Sequence, residues 1–277
     1  MKPPKIWPLL PHELFFGLFL AVTWARLAAA GVFSVFYAIL IAINIVAIGF
    51  ARSAGNPAWQ RVGLLFYPLA MNAAFQHLRV DIPIIHPAHA DAALQAIDWR
   101  LIGTNLSVRL QGMTRPVLTE LFSFCYLLFF PYLLFTLIYY FAGEVKLLAK
   151  FMNGLFALYG IGFLGYTLVP AAGPCKAMAG EFSVPLHGWL FTQWNAALVA
   201  RGSIGADVFP SLHCAVSSYI LFFDLRHRRW RFYLYLLPCL LLWISTIYLR
   251  YHYFIDCLSG FALSALALWL ASRTATK

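Results

Sequence analysis

Charge is the scarcest property of this chain: Asp, Glu, Lys and Arg make up only 11 % of its 277 residues, against about a quarter in an ordinary soluble domain. With 62 % hydrophobic residues, a water-exposed globule is excluded, because the surface of such a fold could not be covered. Long polar stretches are also missing, so no segment is left over for a separate soluble domain. Acidic residues are fewer than basic ones, 10 against 20. No basic helix with interleaved aromatics lies outside the apolar runs, and nucleic-acid binding is excluded with it. The cysteines Cys125, Cys175, Cys214, Cys239 and Cys257 lack metal-type spacing and read as small packing residues. Cys175 with Cys214 is the one pair to consider for a disulfide.

What the chain has instead is apolar length. A helix crossing the hydrocarbon core needs about 20 apolar residues. Runs of that kind cover roughly residues 12–30, 32–50, 59–78, 117–141, 148–169, 210–225, 231–249 and 253–271. The expected fold is all-α, a polytopic transmembrane helix bundle of eight spans in a single membrane domain, 1–277. Within it, 1–78 supply N-terminal helices, 79–116 an outer-face connection and 117–277 the catalytic helix bundle. Arg26 and Gly31 interrupt the first pair of runs, which makes that division the weakest. Lys2 and Lys5 precede an apolar run without a small-residue cleavage site, so the first helix is expected to stay in the mature protein.

Lys and Arg in the connections set orientation, since they favour the cytoplasm. Arg226, Arg228, Arg229 and Arg231 mark one side, shared by Lys2, Lys5, Arg52, Arg61, Lys146, Lys150, Arg273 and Lys277. The opposite side carries fewer basic residues, and acidic ones such as Asp81, Asp91, Asp98, Glu120 and Asp207 balance them. That outer side receives two connections, 79–116 and 170–209, both long for plain links. Their Trp99, Trp189 and Trp194 suit the headgroup level.

Three short segments meet on this outer face: Pro170-Ala-Ala-Gly-Pro-Cys-Lys176, Phe209-Pro-Ser-Leu-His213 and Tyr248-Leu-Arg-Tyr-His-Tyr-Phe-Ile-Asp256. His252 and Asp256 are four apart, so on a helix they share a face and the carboxylate can orient the imidazole. Alone, the pair reads equally well as a structural contact at a helix end. Ser211 suits the cap of a helix that opens at His213. The N–H groups and dipole of such a terminus favour phosphate, although an ordinary capped helix would look the same.

Taken together the segments resemble the type 2 phosphatidic acid phosphatase superfamily. The form Tyr-Leu-Arg-Tyr-His-Tyr-x-x-Asp is most similar to its branch containing fungal inositol phosphorylceramide synthase and related sphingolipid synthases. The resemblance covers about residues 165–265 and implies a six-helix core to which the N-terminal helices are added. It implies that His252 is the phosphoryl-accepting nucleophile, Asp256 its orienting partner and His213 the general acid. Two histidines can divide those roles near neutral pH. Phosphoryl transfer further needs cations and N–H donors around the equatorial oxygens, for which Lys176, Arg250 and the backbone at Ser211 are the candidates. No metal or other cofactor is required. The sequence departs from the family pattern at three points. Thr246 stands where an arginine is usual, Leu212 replaces a glycine and crowds the phosphate approach, and Arg115-Pro116, a remnant of the usual first motif, lies one outer connection too early.

Elsewhere the readings are plainer. His86, His89 and Asp91 are too loosely spaced for a metal site, His77 shows no partner, and Arg79, Asp98 and Glu120 are expected to form structural pairs. The expected protein is a multi-pass lipid phosphatase or phosphotransferase of a bacterial inner membrane, with its active site on the periplasmic face. Its partner is a phosphorylated membrane lipid. Water as acceptor would make it a phosphatase, and an alcohol on a second lipid or polyol a phosphotransferase. A transporter is the rival class, but it would carry its ionisable residues deeper in the spans.

Overall fold

The computed structural model describes residues 9–53 and 57–273, with the side chains of 51–53 set aside. Lys2, Lys5 and Lys277 lie outside the described residues, as does the side chain of Arg52. Among the described residues the chain is helical and contains no strand. Each of the eight apolar runs coincides with helix. Near the N-terminus these are α1 (Pro11–Ala29), α2 (Val35–Ser53) and α3 (Pro57–Ile85). The 79–116 connection is not a bare loop, for it contains α4 (Asp91–Ile102) and α5 (Leu106–Leu110). The fourth run is divided into α6 (Pro116–Leu127) and α7 (Phe129–Ala142), and α8 (Val145–Leu168) follows. In the second outer connection lie α9 (Pro174–Ala177) and α10 (Leu190–Gly202). The last three runs are α11 (Leu212–His227), α12 (Arg229–Tyr248) and α13 (Phe254–Arg273).

Among the described residues, five segments are long and apolar enough to cross a membrane on their own: α1, α6 with α7, α8, α12 and α13. The apolar part of α2 is shorter. Side chains such as Leu69, Leu134, Phe135 and Leu237 stand exposed on the outside of the bundle, as a lipid-facing surface requires. In α8, 72 % of the apolar window is buried, against 33–39 % in the other four spans. That difference makes α8 the central helix, around which α1, α3, α11 and α13 pack. Small residues permit the close approach. A Cβ on Gly160 would lie 2.5 Å from the Phe15 backbone of α1, and one on Gly165 would lie 2.4 Å from Pro210 just ahead of α11.

Two arginines tie helix ends together. Arg26 donates to the carbonyls of Thr167 (2.7 Å) and Ile85 (3.1 Å), so the C-terminal ends of α1, α3 and α8 share one side. Arg26, which interrupts the first pair of apolar runs, therefore joins three helices, its charge set against helix C-termini. Arg61, near the start of α3, donates to the carbonyls of Phe141 in the last turn of α7 and of Gly143 just after it, on the other side. There too Arg231 is buried against Asp224 at 2.9 Å, with Thr136 and Tyr140 completing the bonds of both. A buried ion pair is tolerated only with its remaining donors and acceptors satisfied in this way.

Candidate active site

Ser211 is the N-cap of α11 and its side chain accepts from the Cys214 N–H at 3.4 Å. The Ser211 N–H donates to the Asp256 carbonyl at 3.0 Å, which stitches the start of α11 to the first turn of α13. His213 and His252 consequently face one another with ring centroids 5.8 Å apart. His252 Nδ1 lies 3.5 Å from Asp256 Oδ2 but is buried without a hydrogen-bond partner, while that oxygen accepts from the Tyr253 N–H at 2.7 Å. His213 Nδ1 is 3.3 Å from the Tyr126 hydroxyl, and its Nε2 is buried without a partner. Burial disfavours the imidazolium of His252. The nearby Asp256 carboxylate, with Cys257 and Asp207, outweighs it and raises the pKa.

Both histidines line a cavity of about 390 Å³. Phe75, Phe129, Phe163 and Tyr166 form apolar wall, and Lys176, Asp207 and Ser203 stand at its polar side. Lys176 Nζ has no hydrogen-bond or ion-pair partner among the described residues. The three sequence segments thus converge as expected. Arg250 does not line this cavity: it packs over the Phe182 ring at 4.1 Å and donates to the Val184 carbonyl. Its Nε is buried without a partner, and burial lowers its pKa. Leu212, expected to crowd the phosphate approach, does line this cavity, and its side chain also packs on α8, where Gly162 leaves it room: a Cβ there would lie 2.5 Å from Leu212 Cδ2.

Three carboxylates outside the site hold its backbone. Asp91 accepts from Ala172 and Gly173, both at 2.9 Å, and from the Tyr253 hydroxyl. Asp98 accepts from Phe254 (2.8 Å) and Ile255 (2.9 Å) at the start of α13. Glu120 takes the N–H groups of Trp189, Phe191 and Thr192 at the start of α10, and Arg79 donates to Arg201 and Ser203 at its end. Arg79, Asp98 and Glu120 are therefore structural, with backbone groups as their partners. Among the described residues the Arg115 guanidinium donates to its neighbour's carbonyl alone, Thr114 O at 2.8 Å. All five cysteines are free. Cys175 and Cys214 are therefore not bridged; the Cys175 N–H donates to the Arg250 carbonyl at 2.8 Å, and Cys257 Sγ lies 3.3 Å from the Thr246 hydroxyl.

The PAP2 superfamily model matches residues 92–270, most of the chain. The chain belongs to the PAP2 superfamily. Its matched region starts within α4, so the short helices of the first outer connection are part of the PAP2 unit and not a foreign insertion. No curated protein and no solved structure matches the chain. Membership supports a phosphatase-type activity on a lipid phosphate, and the five apolar spans suit a PAP2 protein resident in a membrane.

Two lining residues escaped sequence reasoning. Asp207, six positions before His213 in the same outer connection, was seen only as a balancing charge. Tyr126, on α6, had no signal at all, since its contact with His213 spans 87 residues.

Proposed function

We propose that this PAP2 protein cleaves a phosphate ester or anhydride on a membrane lipid through a phosphohistidine at His252. The observation that carries the reading is the opposition of His213 and His252 across 5.8 Å on the wall of a largely apolar cavity. The neutral imidazole of His252 attacks phosphorus, and Asp256 fixes its tautomer and stabilises the positive charge that develops. His213 gives its proton to the departing lipid oxygen. Lys176, whose ammonium is unoccupied by any protein partner, neutralises the equatorial oxygens, assisted by the N-terminus of α11 at Ser211. Arg250 contributes once its hold on Val184 is exchanged for phosphate. Water then releases phosphate.

A second reading, transfer of the phospho-headgroup to a lipid alcohol, is favoured by the segment Tyr248 to Asp256, whose form is most similar to sphingolipid synthases. The site faces the periplasm of a bacterial inner membrane, because the end opposite the histidines carries Arg226, Arg228, Arg229 and Arg231. Incubating the purified protein with a panel of lipid phosphates, with and without an alcohol, separates the readings. Free phosphate supports hydrolysis and a phosphorylated alcohol supports transfer. No turnover of any lipid phosphate, with uptake of lipid into vesicles instead, would favour a transporter.

A further inference from the structure

The cavity contains a charge that phosphate binding does not explain. Asp207 lines it together with His213, His252 and Lys176, although a carboxylate beside a phosphate repels it. The loop that bears it, Ser203–Phe209, is built to hold that carboxylate still. Ser203 Oγ donates to Asp207 Oδ1 at 2.7 Å and accepts from the Gly205 N–H at 3.1 Å. Gly205 adopts φ +81°, a conformation that glycine takes without strain. Arg79 fixes the same loop from α3 through the Ser203 carbonyl at 2.9 Å. Asp207 Oδ2 has no partner among the described residues. The group left to occupy it must be a donor; with Lys176 and His213 on the same wall engaged by the phosphate and the leaving group in the reading above, the reaction brings in one more, the hydroxyl of the acceptor.

Resting on the phosphohistidine reading above, we propose that Asp207 binds the acceptor hydroxyl, of water or of an alcohol, for the second half of the reaction. The acceptor O–H donates to Asp207 Oδ2, which aims a lone pair of its oxygen at phosphorus. The new O–P bond forms as the P–N bond to His252 breaks, and that electron pair returns to the imidazole. The hydroxyl proton passes by way of the Asp207 carboxylate to His213, which lost its own proton to the leaving group in the first half. Apart from its charge effect on the pKa of His252, Asp207 thus has no part in forming the phosphoenzyme and a large part in discharging it.

The test uses whichever of ³²P-labelled phosphatidate, lysophosphatidate or polyprenyl phosphate the wild-type protein turns over fastest. Base-quenched phosphoenzyme is counted in the first turnover and at steady state, with and without added glycerol. At a pH above the acid limb set by His252, Asp207→Asn, a nearly isosteric change, is expected to form phosphoenzyme at close to the wild-type rate. It should then accumulate it, with hydrolysis and transfer to glycerol both slowed about tenfold or more, the worth of one charge-assisted hydrogen bond. Ser203→Ala, which only frees Asp207 Oδ1, should raise steady-state phosphoenzyme to a smaller degree, and serves if Asp207→Asn folds poorly. Equal loss of the first-turnover burst and of turnover would overturn the proposal and assign Asp207 to the lipid donor. Unchanged kinetics in both variants would overturn it as well. Absence of phosphoenzyme in the wild type would instead remove the reading on which it rests.

Discussion

Asp98, on a short helix outside the bundle, accepts the N–H of Phe254 at 2.8 Å, two residues beyond His252. With Ile255 as its second donor at 2.9 Å, it acts as an N-cap supplied from a distant part of the chain. Asp98→Ala leaves two N–H groups of α13 without an acceptor. The expected cost is about 1–2 kcal/mol of stability, with lowered turnover because His252 loses its anchorage. Thermal unfolding in detergent and turnover on one lipid phosphate should fall together. An unchanged melting temperature would mean that α13 is started by other contacts.

Gly165→Ala tests how the start of α11 is positioned. Its new Cβ would fall 2.4 Å from Pro210 Cδ and 3.1 Å from the Phe209 carbonyl, both ahead of His213. Overpacking of this kind costs about 1–3 kcal/mol. Activity should drop further than stability alone explains, because the displaced segment carries His213. Full activity at a temperature where the variant remains folded would contradict this.

The helices could be read from apolar run length, because a membrane demands it of each span, and the His213, His252 and Lys176 segments could be read from their order and residue types. Less legible were interactions that join distant residues through the backbone. Nothing in a sequence indicates that Asp98 will accept from N–H groups 156 and 157 positions away, or that Glu120 will cap α10. The same reason hid the organisation of 79–116, whose α4 and α5 are too short to show a clear apolar period. The His77–Asp81 contact at 2.7 Å was simply missed, although its i, i+4 spacing matches that of His252 and Asp256. Tyr37 donates to the same Asp81 oxygen at 2.7 Å, which gives that pair a structural role.

The raised pKa of His252 sets a pH dependence. Only neutral imidazole attacks, so kcat/KM should climb with pH through a midpoint above the ordinary value of 6.5. Asp256→Asn removes a charge that raises that pKa, so the acid limb should move to lower pH while the maximum rate falls, the tautomer being no longer held. A limb that stays in place, with only stability reduced, would make the pair structural.

Sidedness follows from the charge distribution and the helix ends. In a variant with the five native cysteines replaced, Gly202→Cys should react with a membrane-impermeant thiol reagent in intact cells, since it ends α10 at the cavity. His227→Cys, at the far end of α11, should react only after permeabilisation. The reverse pattern would put the site on the cytoplasmic face.

The role of His252 is tested most directly by trapping the phosphoenzyme. After base quenching of protein turning over a ³²P-labelled lipid phosphate, the label should be recovered on the peptide containing His252. It should be absent from a folded His252→Ala protein, which should also have no turnover. Label on another residue, or normal turnover by folded His252→Ala, would contradict phosphoryl transfer through this histidine.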